Sequence, residues 1–459
     1  MIRQIVFGDR WIDVDLADDV KAVPPGITIP VEPADDLQAA VGSALDHPID
    51  LPPLRHLAQP GSRVVVAFDD PTVPCYTPLW PIALGEILSD LGRAGVKRED
   101  ITLVCANSLH RQFTHDELAR LIGDNLVSDF GPRLVCHDAE DPKAMTEIGV
   151  TENGYFVDLN RLVVEADLTV YLDCSTTRGF SGGWKSICVG LSSYRSIAHH
   201  HTPETMSMTL DRNPMHAMLD EMGALTLEKL GAEKFFKLET VLANPLQVAK
   251  IFGGSVDATR NAALEMNRAH LSNRRDMIDE KADILVYGVP DWSPYAAYSF
   301  TNPILSMIST GLGYLGGMIE ALGKPGCTVI LATPCPDRWD HEHHPSYKEV
   351  WDRVIPETKD PNEARRLYEE EFATRDDYRE RYRFGYGFHG VHGIMALYPL
   401  KRLRHAGRVI VAGAEDPSIP EHVGFSATAT VEDALAEARG AHGNSSVVLV
   451  EYPMANSRQ

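Results

Sequence analysis

The chain has 459 residues, 44% of them hydrophobic and 24% charged, which supplies the core of two or three globular domains and excludes long disorder. Its 65 acidic side chains against 43 basic ones give a formal charge of −22, which disfavours nucleic acid and anionic membrane surfaces as main partners. No run of eighteen apolar residues appears and the N-terminus lacks the apolar core of a signal peptide, so a soluble cytoplasmic protein is expected; the seven scattered cysteines, without a CxxC, read as reduced core residues.

Short β-branched runs alternate with amphipathic stretches along the first half. SRVVVAFDD precedes WPIALGEILSDLGRAGV, DITLVCAN precedes THDELARLIGDNL, and RLVCHDAED and DLTVYLDCS lead into a glycine-rich segment. After LANPLQVAKIFGGS, a polar helix through DATRNAALEMNRAHLSNRRDMIDEKA opens a second series. It comprises strand DILVYGVP, a helix through NPILSMISTGLGYLGGMIEALG, strands CTVILATP and GRVIVAGAED, helix TVEDALAEARGAHG and strand SSVVLVEYP. The predicted fold class is therefore α/β, with two α/β domains, mainly parallel sheets and the active site in the cleft between them. The domains are placed at 1–274 and 275–459, the second carrying a charged, mostly helical insertion at about 337–388 that reads as a surface lid or interface element.

Two motifs are set aside. Gly311, Gly313 and Gly316 spell GxGxxG inside a helical pattern, where packing explains them better than dinucleotide binding. The run from His341 to Pro345 lacks the i, i+4 histidine pair of a zinc helix and reads as a solvated loop.

The stretch from Gly179 to His201 carries the most chemistry. Ser181, Gly182 and Gly183 remove bulk where a backbone can approach a ligand, and Lys185 supplies an amine that burial makes nucleophilic. Trp184 stands where a Walker A loop needs glycine, which disfavours a nucleoside triphosphate. Taken singly, Lys185 reads as a surface lysine at a helix start, His201 as one of three histidines in a polar loop, and His110 as a residue before a helix capped by Thr114.

Together these residues resemble the nickel-dependent lactate racemase family, most clearly over the first 270 residues. AFDDPTVP is similar to that family's strand-end loop, with Asp70 and Thr72 matching and Val73 in place of an arginine. ANSLHRQFTHDEL sets His110 at the acid/base position, followed by Arg111 and Thr114 as in the family. The third block contributes Asn160, Arg161, Glu165, Ala166 and Asp167 as scaffold, and the fourth aligns Lys185 with the lysine that tethers a nickel-pincer nucleotide and His201 with the nickel ligand.

The resemblance implies a pyridinium mononucleotide carrying two thio-carbonyl groups and Ni, made by separate cofactor-synthesis proteins. It implies racemisation of a 2-hydroxy acid, with Lys185, Asp70, Thr72, Ser181, Gly182 and Gly183 around the cofactor. Ser175 stands where the second catalytic histidine belongs, and Ser299 and Asn302 replace a glutamine and a lysine of the substrate pocket. The small-molecule substrate expected is therefore a 2-hydroxy acid other than lactate or a sugar acid, held by hydrogen bonds from Ser299, Asn302 and Thr176 or by Arg178, with His199, His200, His389 or His392 offered as replacement bases. One-sided hydroxy-acid chemistry and a non-catalytic cofactor- or carboxylate-binding homologue are the alternatives. The oligomeric state stays open, a homo-oligomer included.

Overall fold

The computed structural model describes residues 2–23, 31–175, 180–206, 213–244, 246–270, 278 and 280–451. The chain splits into a central unit, Pro30–His270 with Tyr382–Tyr386, and a terminal unit, Met1–Ile29, Leu271–Arg381 and Gly387–Gln459.

The chain opens in the terminal unit with β1 (Ile2–Phe7), β2 (Arg10–Asp15) and β3 (Lys21–Val23). The central unit follows with β4 (Val64–Asp69), β5 (Ile101–Ala106), β6 (Leu134–Cys136), β7 (Met145–Val150), β8 (Phe156–Asn160), β9 (Leu168–Ser175), β10 (Phe235–Asn244) and β11 (Gln247–Gly254). The terminal unit resumes with β12 (Ala282–Gly288), β13 (Gly323–Ala332), β14 (Arg408–Ala412), β15 (Ser426–Thr428) and β16 (Val447–Val450).

The central sheet has the order β11-β10-β9-β4-β5-β6, parallel except for the β10–β11 hairpin. The first five residues of β4 and all of β9 are buried, as interior strands of a parallel sheet covered on both faces require. The helix Leu79–Arg93 turns Leu79, Trp80, Ala83, Leu84, Ile87, Leu88 and Leu91 inward, the 3.6-residue stripe legible in its sequence. Thr114 caps the helix His115–Ile122 in a full capping box with Glu117.

The terminal sheet has the order β15-β14-β13-β12-β16-β3 and is parallel throughout. The helix Val431–His442 buries Val431, Ala434, Leu435 and Ala438 in a core shared with Ile5, Phe7, Ile284, Ile330 and Leu449. Here the sequence reading needs correction, because the first 29 residues belong to this unit rather than to the N-terminal one. β3 pairs parallel with β16, and the antiparallel β1–β2 hairpin packs Ile5, Phe7 and Val14 into the same core.

Two local expectations also change. The apolar stretch Ile304–Tyr314 winds as a π-helix, with the Leu315 amide donating to Thr310 O, before a 3₁₀ turn at Leu315–Met318. It starts the one helical stretch, Ile304–Leu322, that is long and apolar enough to cross a membrane among the described residues, and 67% of that window is buried inside the protein. The insertion is helical as expected, through Pro361–Thr374 and Asp376–Phe384, but it is no mere surface element. Tyr347, Val354, Ile355, Phe372 and Tyr382 are fully buried.

Candidate active site

In the central sheet the strand order reverses at β4, whose neighbours are β5 on one side and β9 on the other. Open α/β sheets bind ligands at such a switch point, beyond the carboxyl ends of the strands. Asp70 and Thr72 follow β4, His110 follows β5, and Ser175 ends β9 just before the glycine-rich loop.

The chain after β5 turns sharply through Ser108, a non-glycine residue at φ 54°, and the amide of His110 donates to Asn107 O at 2.7 Å. Tyr382 fastens this turn by donating its hydroxyl to Ser108 O at 2.8 Å while accepting the Ala139 amide at 3.0 Å. His110 Nδ1 then lies 2.7 Å from Asp70 Oδ2. Asp70 is buried and receives the Thr72 amide on its other oxygen at 2.7 Å, so its orientation is fixed. With a carboxylate as partner, His110 carries its hydrogen on Nδ1 and its basic lone pair on Nε2, the arrangement of an oriented general base.

The Lys185 side begins beyond β9. Gly182 and Gly183 adopt φ 88° and 59°, and a Cβ on Gly182 would lie 2.1 Å from Glu239 Oε1, so both conformation and packing demand glycine. The short helix Trp184–Cys188 follows, and the Lys185 ammonium nitrogen sits 4.5 Å from the centroid of the Phe180 ring. Burial lowers the pKa of Lys185, against the opposing pull of Asp69 and Asp70, which favours the nucleophilic amine. The two halves of the site meet directly, because the Ser108 amide donates to Gly190 O at 3.1 Å.

Beneath the loop lies a buried charged network that the sequence did not announce. Lys237 Nζ, fully enclosed, contacts Asp173 Oδ2 at 2.7 Å and Glu239 Oε2 at 3.2 Å, and donates to Gly183 O at 2.8 Å and Ser186 Oγ at 3.0 Å. Burial disfavours its charge, but Asp173 and Glu239 outweigh that and hold its pKa above the ordinary lysine value. Arg260 lies 3.7 Å from Glu239 and donates to Ser181 O, and His216 Nε2 lies 3.1 Å from Phe180 O. The only sequence signal was a pair of charged residues in FFKLETVL, an otherwise apolar strand, and one in DLTVYLDC.

Asp69 is the other unannounced group. It accepts from the Tyr171 hydroxyl at 2.9 Å and the Cys174 amide at 3.0 Å, and burial, helped by Asp173, pushes its pKa up to about 8. A carboxyl that keeps its proton to about pH 8 when folded but loses it near 3.8 when unfolded stabilises the fold fully below the lower value. That contribution disappears as pH rises through the upper one. The thermal midpoint of the wild type should therefore fall between pH 5 and 8 more steeply than that of Asp69→Asn, whose side chain does not titrate. Equal slopes in calorimetry across about three pH units would contradict this assignment.

The remaining predicted residues divide clearly. His201 is half-buried, and its Nδ1 is braced 2.9 Å from His200 Nδ1. Ser175 Oγ is buried without a hydrogen-bond partner among the described residues. Arg178 and Thr176 lie outside the described residues. Ser299 and Asn302 belong to the terminal unit, where Ser299 donates to Asp340 and Asn302, fully buried, receives the Leu305 amide at 3.0 Å as a helix cap. Its Nδ2 has no partner among the described residues.

The histidines offered as replacement bases have structural partners. His199 Nε2 accepts the Phe156 amide at 3.1 Å, His389 Nδ1 accepts the Val391 amide at 3.3 Å, and His392 Nδ1 lies 2.7 Å from the Tyr347 hydroxyl. His200 is fully buried and its pKa is lowered to about 3 by that burial. The HEHHP loop is less solvated than expected, because His344 is buried, stacked on Phe388, and its Nε2 lies 2.8 Å from Tyr295 O.

With this geometry in place, the similarities to known proteins take on meaning. The profile of the lactate racemase N-terminal domain matches residues 7–211. The lactate racemase of Thermoanaerobacterium thermosaccharolyticum is 27% identical over 334 residues, 71% of this chain and 70% of that protein. The lactate racemase of Lactiplantibacillus plantarum is 28% identical over 236 residues, covering 50% of this chain and 53% of its own length. The lactate racemase apoprotein structure from T. thermosaccharolyticum aligns with a TM-score of 0.69 at 22% identity, covering 98% of both chains, and so shares the fold. Residues 7–211 thus carry a lactate racemase N-terminal domain, and the chain as a whole is similar to lactate racemases and shares their fold.

Proposed function

We propose that this protein is an isomerase, a racemase or epimerase of a 2-hydroxy acid other than lactate, working with a nickel-pincer nucleotide tethered to Lys185. The observation that carries the reading is the Asp70–His110 pair at the same switch point as a half-buried lysine on a pinned glycine turn.

The donor set fits such a group. Lys185 would hold that cofactor covalently. His201 would supply the imidazole ligand, and the bond from its Nδ1 to His200 is the kind that fixes a ligating histidine's tautomer and ring plane. When bound, the cofactor supplies a hydride acceptor. The chain's own part is acid–base work. His110 Nε2 takes the hydroxyl proton of the substrate while Asp70 stabilises the resulting imidazolium, and the same proton returns when the alcohol re-forms.

The departures shape the substrate. In the central unit Val73 stands in place of an arginine, so one cation that the resemblance implies for the acid group is missing there and binding leans more on neutral hydrogen bonds. Ser175, buried and without a hydrogen-bond partner among the described residues, is a poor base, which favours one-sided hydroxy-acid chemistry as the second reading. Racemisation in D₂O with a panel of 2-hydroxy and sugar acids tests the route. Inversion that keeps the substrate's own hydrogen at C2 supports hydride transfer, and deuterium at C2 overturns it. Ser175→His is expected to broaden or create racemisation; no gain on any panel member would show that a second base is not what sets the specificity.

A further inference from the structure

The loop that carries Lys185 is held from beneath by side chains of three separate elements. Phe180 O is paired with His216 of the helix Pro214–Leu230, and Ser181 O with Arg260 of the helix Val256–His270. Both ends of Gly183 are bound by β10, its amide donating to Glu239 at 3.0 Å and its carbonyl accepting from Lys237 at 2.8 Å. Lys237 also reaches past Lys185 to the Ser186 hydroxyl, which in turn donates to Asp173 at 2.6 Å. The lysine-bearing turn is thus clamped on both sides of Lys185 by one ammonium group.

Such a clamp is costly to build. Lys237, Asp173 and Glu239 are all fully buried, and a buried ion pair is weak evidence for stability because desolvation offsets much of the attraction. Asp173 Oδ1 and Glu239 Oε1 even lack hydrogen-bond partners among the described residues. A hydrophobic trio would fill the volume as well, but it would leave the Gly183 carbonyl and amide unheld.

We propose that Lys237 is a positioning residue for Lys185: it locks the glycine turn in the conformation that presents the Lys185 amine to an acyl-bearing cofactor. This rests on the reading of Lys185 as the tether. The Phe180 ring against which the Lys185 amine lies belongs to the same pinned loop, so the clamp sets where the amine stands as well as where the backbone runs.

The test uses the full chain without cofactor and an acetyl N-hydroxysuccinimide ester as probe. The free amine attacks the acetyl carbon, the N–C bond forms, hydroxysuccinimide departs with its electron pair, and the amine's proton passes to buffer. Peptide mapping reads the acetylation rate of Lys185 beside those of the exposed Lys97 and Lys229, at one pH. In Lys237→Met the Lys185 rate should fall at least about tenfold, and in Ser186→Ala about threefold, with the two surface lysines and near-ultraviolet circular dichroism unchanged. A Lys185 rate within about twofold of wild type in folded Lys237→Met would overturn the proposal. If that variant does not fold, Lys237→Met/Asp173→Asn/Glu239→Gln removes the unpaired acids with the cation and is read in the same way. Should neither fold, Ser186→Ala decides alone, and an unchanged Lys185 rate in it overturns the proposal. Failure of the tether reading is distinguishable, because it appears as a cofactor-loaded wild type with no adduct on Lys185.

Discussion

Lys185→Ala is expected to abolish turnover and to leave the chain without a nucleotide adduct even when cofactor supply is ample. Alanine removes the only amine on the turn, and a methyl group cannot form the bond to the cofactor. The loss is of the whole cofactor-dependent rate, at least about a millionfold. Lys185→Arg should be as inactive, because a guanidinium keeps the charge but does not form the bond. Lys234→Ala is the control: this buried lysine donates to Val164 O at 2.9 Å and to Ala166 O, so its loss should lower stability while the adduct still forms. Chiral chromatography and intact mass check both readouts. Full activity in Lys185→Ala would remove the cofactor assignment altogether.

His110→Ala is the second large effect, with kcat falling by about 10²–10⁴ and the cofactor adduct intact. Asp70→Asn separates orientation from chemistry. An amide at that position can still face the imidazole, but it lacks the charge that stabilises an imidazolium, so kcat should fall by about 10–100 with little change in KM. Thr72 donates to the same carboxylate and lies 3.2 Å from His110 Nδ1, so Thr72→Val is expected to act in the same direction more weakly. Steady-state kinetics on any accepted substrate distinguish these cases. Equal losses in KM and none in kcat would place His110 in binding rather than proton transfer.

How much of this was legible in the sequence depended on range. Periodicity marked β4, β5, β9 and β12–β14 and the helices Leu79–Arg93 and Val431–His442, because their apolar spacing answers to one buried face or two. It did not reveal that β3 completes the sheet of the distant C-terminal half, since three residues carry no register information until β16 is beside them. In the site, the family resemblance singled out His110, Lys185 and His201, and implied a cofactor role for Asp70 and Thr72. The structure sets both against His110, a contact between residues 38 and 40 positions apart that no local pattern encodes. Lys237, Glu239 and Tyr382 were missed for the same reason, each lying in a segment whose local pattern speaks only of strand or surface helix. The histidines near Lys185 looked interchangeable in HHH, whereas burial separates them: His200 is enclosed and neutral, and His201 is the half-exposed one it braces.

The most direct measurement is the intact mass of the wild-type chain co-expressed with cofactor-synthesis proteins and nickel, followed by peptide mapping of the adduct. The account predicts one nucleotide-sized adduct, confined to the peptide containing Lys185. An unmodified chain, obtained beside a lactate racemase that loads fully in the same cells, would contradict it.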